Sequence, residues 1–363
     1  MRMSMKIIRL TTFLDFGGVE KRIEISAKEL VQRNDIDLIV ISIAKGGTVA
    51  RHLQTCGIQT IVLCQNHKIP SIKTILALYR LYKKLQPDVV HASGSEANFH
   101  GLIAAFFAGI KIRIGEEIGF PNHNLLWKAI FNCVYCFSTK VICISNAVKE
   151  KLLEYKEVKE SKIKVIYNPA QVSCRKTEYS IQNNTFTFIT TCRLFPIKNL
   201  ENLILVFAEI CNTTTKPLRL QIVGDGPEKE KLIHLCKVKN IEKNIEFLGF
   251  KEDVSNHLQD ADTFILPSYS EGFSLSLVEA MQVGLPCIAT RIGGPLEIIS
   301  NEETGFLIDP YDNNSIKEAM LKVLEMSDTD RRRMGEKAMN DTLARFSVER
   351  YVDCLLQIYK NEE

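Results

Sequence analysis

No uncharged apolar run in this sequence is long enough to cross a bilayer. A spanning helix needs about 20 residues, whereas the stretch 101–110 is far shorter and the region from Leu125 to Val148 is interrupted by Lys128 and Lys140. No transmembrane helix is expected. The opening residues, MRMSMKIIRLTTFLDFGG, carry early basic side chains but lack a continuous apolar core, so no cleaved signal peptide is expected either. A dense Arg/Lys cluster interleaved with aromatics is missing, which argues against nucleic acid as a partner. Cysteine is plentiful, at eleven residues, but irregularly spaced. The pair Cys133 and Cys136 has no second pair at zinc-ribbon spacing and lies in an apolar helical pattern, so core packing is expected there and a metal centre is not. With no export signal, the thiols read as reduced and the location as cytoplasmic. The sequons at Asn183, Asn212 and Asn313 then carry no meaning.

What is present suits a globular protein of two domains: 363 residues, 45% hydrophobic and 25% charged. The net charge of +3 is unevenly divided. Residues 1–170 hold 24 Lys and Arg against 14 Asp and Glu, and the remainder holds 22 against 29. A basic first half suits an anionic membrane surface or an anionic acceptor, or is an ordinary solvated surface.

Short β-branched runs alternate with helical patterns. MKIIRL, DIDLIVISI, IQTIVLC, PDVVHAS, KIRIG, KVICIS and KIKVIYN read as strands, and their near-continuous apolar character is that of parallel strands buried on both faces. SIKTILALYRLYKKLQ places Ile72, Ile75, Leu76, Tyr79 and Tyr82 at helical spacing and ends before Pro87. Residues 167–185 are polar and aperiodic and read as a linker. A second series follows in TFTFITTCR, LRLQIVG, IEFLGF, DTFILPS, PCIATRI and GFLIDP. The fold expected is α/β, two tandem Rossmann-like doubly wound domains over 1–170 and 171–346, with a ligand cleft between them. A tail helix is expected over 347–363, starting at an N-cap-like Ser347.

Four segments carry candidate chemistry. Gly17 and Gly18 follow the first strand and precede a helix, a junction that admits a phosphate close to backbone amides or that simply turns. Arg193 and Lys198 stand just past the first strand of the second half, where fixed positive charge would face a diphosphate; two surface cations are the plain alternative. IVGDGPEKEKL is a strand-to-helix turn built on Gly224, Gly226 and Pro227. SEGFSLSLVEAM places Glu271 before a helix that begins at the N-cap Ser274, with Glu279 one turn inside. The free amides of that helix suit an anion, and both carboxylates suit sugar or ribose hydroxyls. A glycosidase pair, or a helix cap with a solvated acid, would use the same residues.

Taken in order, GGVE, CRLFPIKN, VGDGPEKEKL, FLGF, SEGFSLSLVEAM, GLPCIATRIGG and TGFLIDP resemble the family 4 glycosyltransferases, retaining enzymes of the two-Rossmann GT-B architecture. The resemblance runs from about residue 5 to the C-terminus and is strongest over 186–310. It implies that Arg193 and Lys198 contact the donor diphosphate, Glu271 the transferred sugar and Glu279 the ribose. It further implies a phosphate and sugar cradle at Gly272, Phe273, Ser274 and Leu275, and a diphosphate- and acceptor-facing loop at Gly17 and Gly18. Two departures stand out. Cys192 replaces the glycine common before the motif arginine, and IRIGEEIGFPNHN offers Glu116 and Glu117 where many members carry a histidine. His91 is an earlier candidate. Glu116 or Glu117 would then position the acceptor hydroxyl, or cap a loop.

The activity implied is transfer of a sugar, with retention, from a nucleoside-diphosphate sugar to a hydroxyl of a glycan or lipid-linked glycan of a bacterial envelope. No metal and no cofactor beyond the donor is expected, since Arg193 and Lys198 supply the charge. The helix NLLWKAIFNCVYCF offers a peripheral contact with an anionic membrane at the inner face, or core packing. A nucleotide-sugar epimerase of the same fold and a non-catalytic sugar-nucleotide-binding subunit are the alternatives.

Overall fold

The computed structural model describes residues 4–173 and 185–361. The chain divides into two compact units, Met1–Pro169 with Val348–Glu363 and Ala170–Ser347.

The first unit is built on seven strands: β1 (Met5–Leu14), β2 (Ile36–Gly46), β3 (Gln59–Val62), β4 (Val89–Ser93), β5 (Ile112–Glu117), β6 (Lys140–Cys143) and β7 (Ile163–Val165). They lie parallel in the order β3-β2-β1-β4-β5-β6-β7. The crossovers are α1 (Gly18–Leu30), α2 (Thr48–Thr55), α3 (Ile72–Leu85), α4 (Ser95–Ala108), α5 (Leu125–Cys136) and α6 (Asn146–Glu154). Successive strand residues point to opposite faces. Ile7, Val40 and Val89 therefore join the core under α1 and α2, while their neighbours Ile8, Ile41 and Val90 join the core under α3 and α4. Helix α3 ends as its sequence dictates: Ser71 caps the start by accepting from the Thr74 amide, and Gln86 turns left-handed (φ 48°) ahead of Pro87.

The second unit carries six parallel strands: β8 (Phe186–Thr191), β9 (Leu218–Val223), β10 (Ile245–Gly249), β11 (Thr263–Leu266), β12 (Cys287–Thr290) and β13 (Phe306–Ile308). Their order is β10-β9-β8-β11-β12-β13. Between and after them run α7 (Leu200–Thr213), α8 (Lys229–Val238), α9 (Ser255–Asp260), α10 (Leu275–Val283), α11 (Pro295–Ile298), α12 (Asn313–Glu325) and α13 (Asp328–Arg345). The last helix, α14 (Val348–Tyr359), belongs to the first unit. It buries Val348, Tyr351, Val352, Leu355 and Tyr359 in the core that lies under α1.

One expectation is refined and another changes. The stretch 167–173 carries the boundary between the units, as a linker should, but it is packed: Asn168, Pro169 and Ala170 are buried, and the Ala170 amide donates to the Phe346 carbonyl at 3.1 Å. The rest of that stretch, 174–184 with the Asn183 sequon, lies outside the described residues. Cys133 and Cys136 are not core residues but exposed ones. The inward side of α5 is Phe131, Val134 and Tyr135, so the apolar helix presents its thiols outward. Among the described residues no helix is long and apolar enough to cross a membrane.

Candidate functional site

In a doubly wound sheet the loops after the strands gather at one edge, where ligands bind. In the second unit the loop after β8 carries Arg193 and Lys198, and the loop after β11 carries Glu271. The structure brings Lys198 and Glu271 together: Lys198 Nζ donates to Glu271 Oε1 at 2.6 Å, across 73 residues of sequence. Two sets of hydrogen bonds hold that pairing, one from the backbone and one from a side chain. The Tyr269 amide donates to the Ile197 carbonyl at 2.9 Å. Asn199, left-handed at φ 57° and buried, donates its side-chain amide to the carbonyls of Pro267 (3.0 Å) and Pro310 (2.8 Å). One asparagine thus ties the loops after β8, β11 and β13. It did not stand out in the sequence, where the available signal was an Asn tolerant of a left-handed turn before an apolar helix.

Arg193 lies on the same loop, exposed, its guanidinium 5.4 Å from the Phe195 ring centroid. Burial pushes the Cys192 thiol up to about 11, with the Lys198 ammonium opposing and Glu271 adding to the rise. The thiol that replaces glycine here is therefore neutral and unreactive near neutral pH.

Ser274 caps α10 as its sequence dictates: its extended backbone turns into the helix, and its hydroxyl accepts from the Leu277 amide at 3.3 Å. Glu271, Phe273, Ser274 and Glu279 are buried, and Gly272 and Leu275 are half-buried. The turn before the helix is held from outside. The Gly294 amide donates to the Glu271 carbonyl at 2.9 Å, and a β-carbon on Gly294 would stand 2.6 Å from the Phe273 α-carbon. Gly224 and Gly226 serve the neighbouring loop in the same way. Added β-carbons would stand 1.9 Å from the Cys192 carbonyl oxygen and 2.5 Å from that of Leu194. What read as turn chemistry in VGDGP is a requirement for close backbone approach. A cavity of about 160 Å³ beside this loop, lined by Phe195, Asn199, Asn202 and Tyr269 among others, includes none of Arg193, Lys198, Glu271 and Glu279.

In the first unit Gly17 is the N-cap of α1 and Gly18 its first residue, as read. Both are exposed, with Gly17 at φ 154°. Glu116 lies elsewhere than expected. It is fully buried, and Arg22 of α1 holds it by two bonds, of 2.8 Å to Oε1 and 2.7 Å to Oε2. Ser93 donates to it at 2.6 Å, and His91 Nε2 and Arg9 stand 3.3 and 3.9 Å away. Burial alone would raise this carboxyl, but Arg22, His91 and Arg9 outweigh it and hold Glu116 far below the usual range. His91 is likewise fully buried and hydrogen-bonded through Nδ1 to the Tyr359 hydroxyl at 2.6 Å. Burial, then the Arg9 charge, push it down to about 4, so it is neutral. Glu117 faces the other side of the sheet, buried against Asn98 and the Tyr135 hydroxyl, and burial pushes it up to about 7. None of the three is open to an acceptor. They form an interior network that fastens α14 and α5 to the sheet, so an acceptor-side role for Glu116, Glu117 or His91 finds no support in their positions.

The metal-free expectation also rested on the chain's having no Asp-x-Asp motif, which is wrong: such tripeptides stand at 35–37, 260–262 and 328–330. Among the described residues no group of three or more His, Cys, Asp or Glu side chains is placed to hold a metal ion.

The model for glycosyl transferases group 1 matches residues 175–341, and that for glycosyltransferase family 4 matches residues 16–173. An uncharacterized glycosyltransferase of Haemophilus influenzae is 30% identical over 257 residues, covering 69% of each chain. The chain belongs to glycosyltransferase family 4. This family 4 glycosyltransferase is also similar, at 29% identity over 94% of its length and 93% of the relative's, to the UDP-Gal:alpha-D-GlcNAc-diphosphoundecaprenol alpha-1,3-galactosyltransferase of Escherichia coli. Its fold matches the crystal structure of Anabaena HepE in complex with UDP, with a TM-score of 0.84 at 21% identity, over 98% of this chain and all of that one. Two parallel-sheet Rossmann-like units are the GT-B type, and the family 4 glycosyltransferase is an enzyme of that type.

Proposed function

We propose that this enzyme moves a hexose from a UDP-sugar to a hydroxyl of a lipid-linked or glycan acceptor, with retention of anomeric configuration, in the assembly of a bacterial surface polysaccharide. The observation that carries the reading is the Lys198–Glu271 pair, a cation beside a carboxylate, at the sheet edge where α10 begins. The Escherichia coli relative, named for a UDP-linked donor and a diphospholipid-linked acceptor, supports the substrate classes.

In this reading Arg193 and Lys198 hold the diphosphate, and Glu271 gives up its bond to Lys198 to accept sugar hydroxyls as the donor arrives. Glu279 accepts from the ribose. The amides from Gly272 to Leu275 line the sugar and phosphate, and the Gly17–Gly18 amides at the start of α1 serve the diphosphate or acceptor. The C1–oxygen bond to the diphosphate breaks as the acceptor oxygen bonds C1 from the same face. The acceptor proton passes to the departing phosphate oxygen. Negative charge grows on that oxygen, and the fixed cations act most strongly there. They do this without a metal ion.

Replacing Arg193 with Ala is expected to lower turnover by about 10²–10³, the scale of losing one preorganised charge stabiliser. UDP release from a UDP-hexose in the presence of an undecaprenyl-diphosphate-linked sugar measures it. Near-normal turnover in a folded variant would remove the role of Arg193. An epimerised nucleotide sugar from donor alone would overturn the transfer reading.

A further inference from the structure

We propose that the cavity beside the loop after β8 is a second binding site, which takes one neutral sugar ring of a glycan. The proposal concerns this cavity alone and stands whatever donor the enzyme uses.

The cavity lies on the second unit, between the first turns of α7 and α8 and the loop after β11. Its volume, about 160 Å³, falls below the roughly 300–1,000 Å³ of a drug-sized pocket, so it admits a single ring and excludes a nucleotide. Aromatic rings form part of its wall. Phe195 is 42% exposed, which leaves it open to a ligand. Tyr269 is stacked on Tyr311, the ring centroids 5.0 Å apart and the planes at 26°. The Tyr269 hydroxyl accepts from the Asn202 side-chain amide at 2.9 Å, which leaves its own proton to donate and the Asn202 side-chain oxygen to accept. Charged groups complete the wall. Lys231 Nζ of α8 stands 2.5 Å from Glu201 Oε2 of α7 and 3.4 Å from Glu228 Oε2. The three charges are thus held in a row across two helices.

This mixture of side chains identifies the ligand. A sugar ring carries C–H groups on its faces and hydroxyls around its rim. The faces stack on aromatic side chains, and the hydroxyls donate to carboxylates and amide oxygens and accept from ammonium and phenol groups. The wall supplies every one of these partners. Two glutamates against one lysine leave the lining net negative, which opposes a phosphate, a nucleotide or an acidic sugar. A wholly apolar ligand would bury the amide and the phenol without partners.

The site is not the donor's, because none of Arg193, Lys198, Glu271 and Glu279 lines it. It shares a loop with two of them: Phe195 stands between Arg193 and Lys198, with the Arg193 guanidinium 5.4 Å from its ring centroid. An enzyme that extends a glycan gains from a second hold on it, since a tethered chain stays at high local concentration. That use rests on the transfer reading; the binding does not.

Saturation-transfer NMR on the full-length protein with D-glucose, D-galactose and N-acetyl-D-glucosamine, each with excess UDP present, is the test. At least one sugar is expected to receive saturation at its ring protons, with a Kd of the order of millimolar for so small a ligand. UDP should leave that signal unchanged. Phe195→Ser, and separately Glu201→Ala with Glu228→Ala, are each expected to weaken binding about tenfold or more, the scale of losing a stacking face or a charge-assisted hydrogen bond. The UDP-induced rise in melting temperature should persist in the glutamate variant, which shows that its fold and donor site are intact. Failure of UDP to raise the wild-type melting temperature would count against the donor reading alone, since the sugar signal is read separately. No saturation transfer to any of the three sugars overturns the proposal. A signal that UDP abolishes, or that either variant retains in full, overturns it as well.

Discussion

Glu116 and Glu117 are neighbours in β5, and the pleat sends their carboxyls to opposite faces of the sheet. On one side two buried guanidiniums hold Glu116 ionised; on the other, Glu117 meets an amide and a phenol but no cation, and burial raises it to about 7. Their pH linkages have opposite signs. Glu116, depressed, contributes stability above the ordinary carboxylate range that is lost as pH falls. Glu117, raised, contributes stability that is complete below about 4.5 and is lost as pH rises toward 7, because the unfolded chain then binds fewer protons than the folded one. The shift corresponds to about 3 kcal/mol. Glu117→Gln should therefore gain stability relative to wild type between pH 5 and pH 8, by roughly that amount. Urea unfolding at both pH values checks it, and parallel profiles for the two proteins would sink the assignment. Little of this was legible in the sequence. Glu-Glu at the end of a strand marks a candidate site, but the arginine that neutralises the first acid lies 94 residues earlier, on a helix whose other buried residues are Ile23, Ser26, Ala27 and Leu30.

At the scale of elements, the thirteen strands seen among the described residues all coincide with apolar runs read from the sequence, because parallel strands buried on both faces leave a continuous signal. Helix α10 and its Ser274 cap were legible for a similarly local reason. The outward-facing thiols of α5 were not: a helix apolar on both sides gives no phase. Loop-to-loop contact was also hidden, since Gly224 in VGDGP signals a turn whether or not another backbone crosses it. Two glycine substitutions separate these effects. Gly249 has φ 68° with nothing within 4 Å of an added β-carbon, so Gly249→Ala should cost about 1 kcal/mol, from backbone strain alone. Gly224→Ala adds a collision with the Cys192 carbonyl, so it should cost at least about 2 kcal/mol more and displace the loop that carries Arg193 and Lys198. The expected readout is a lower urea midpoint together with weaker UDP binding for Gly224→Ala only. Equal losses in both variants would mean that the close approach carries no weight.

At the scale of the whole molecule, the first unit is assembled from two separated pieces of chain, with the entire second unit inserted between Pro169 and Val348. The closing piece is small but central. Its five buried side chains, Val348, Tyr351, Val352, Leu355 and Tyr359, each contribute about 1.5–3 kcal/mol by burial. Together that is about 7–15 kcal/mol, the size of a whole domain's net stability. The loss would not end with apolar surface, since Tyr359 is the hydrogen-bond partner of buried His91 and Tyr351 stands 3.5 Å from Glu116. Removing residues 348–363 should therefore unfold the first unit while the second, whose core includes none of these residues, keeps its own cooperative transition. The two can be watched separately because Trp127 lies in the first unit and the second has no tryptophan. In the truncated protein the Trp127 emission is expected to start at its unfolded value and show no thermal transition, while far-UV circular dichroism retains one. A Trp127 transition that survives truncation at its original temperature would show that α14 rides on a unit already complete without it.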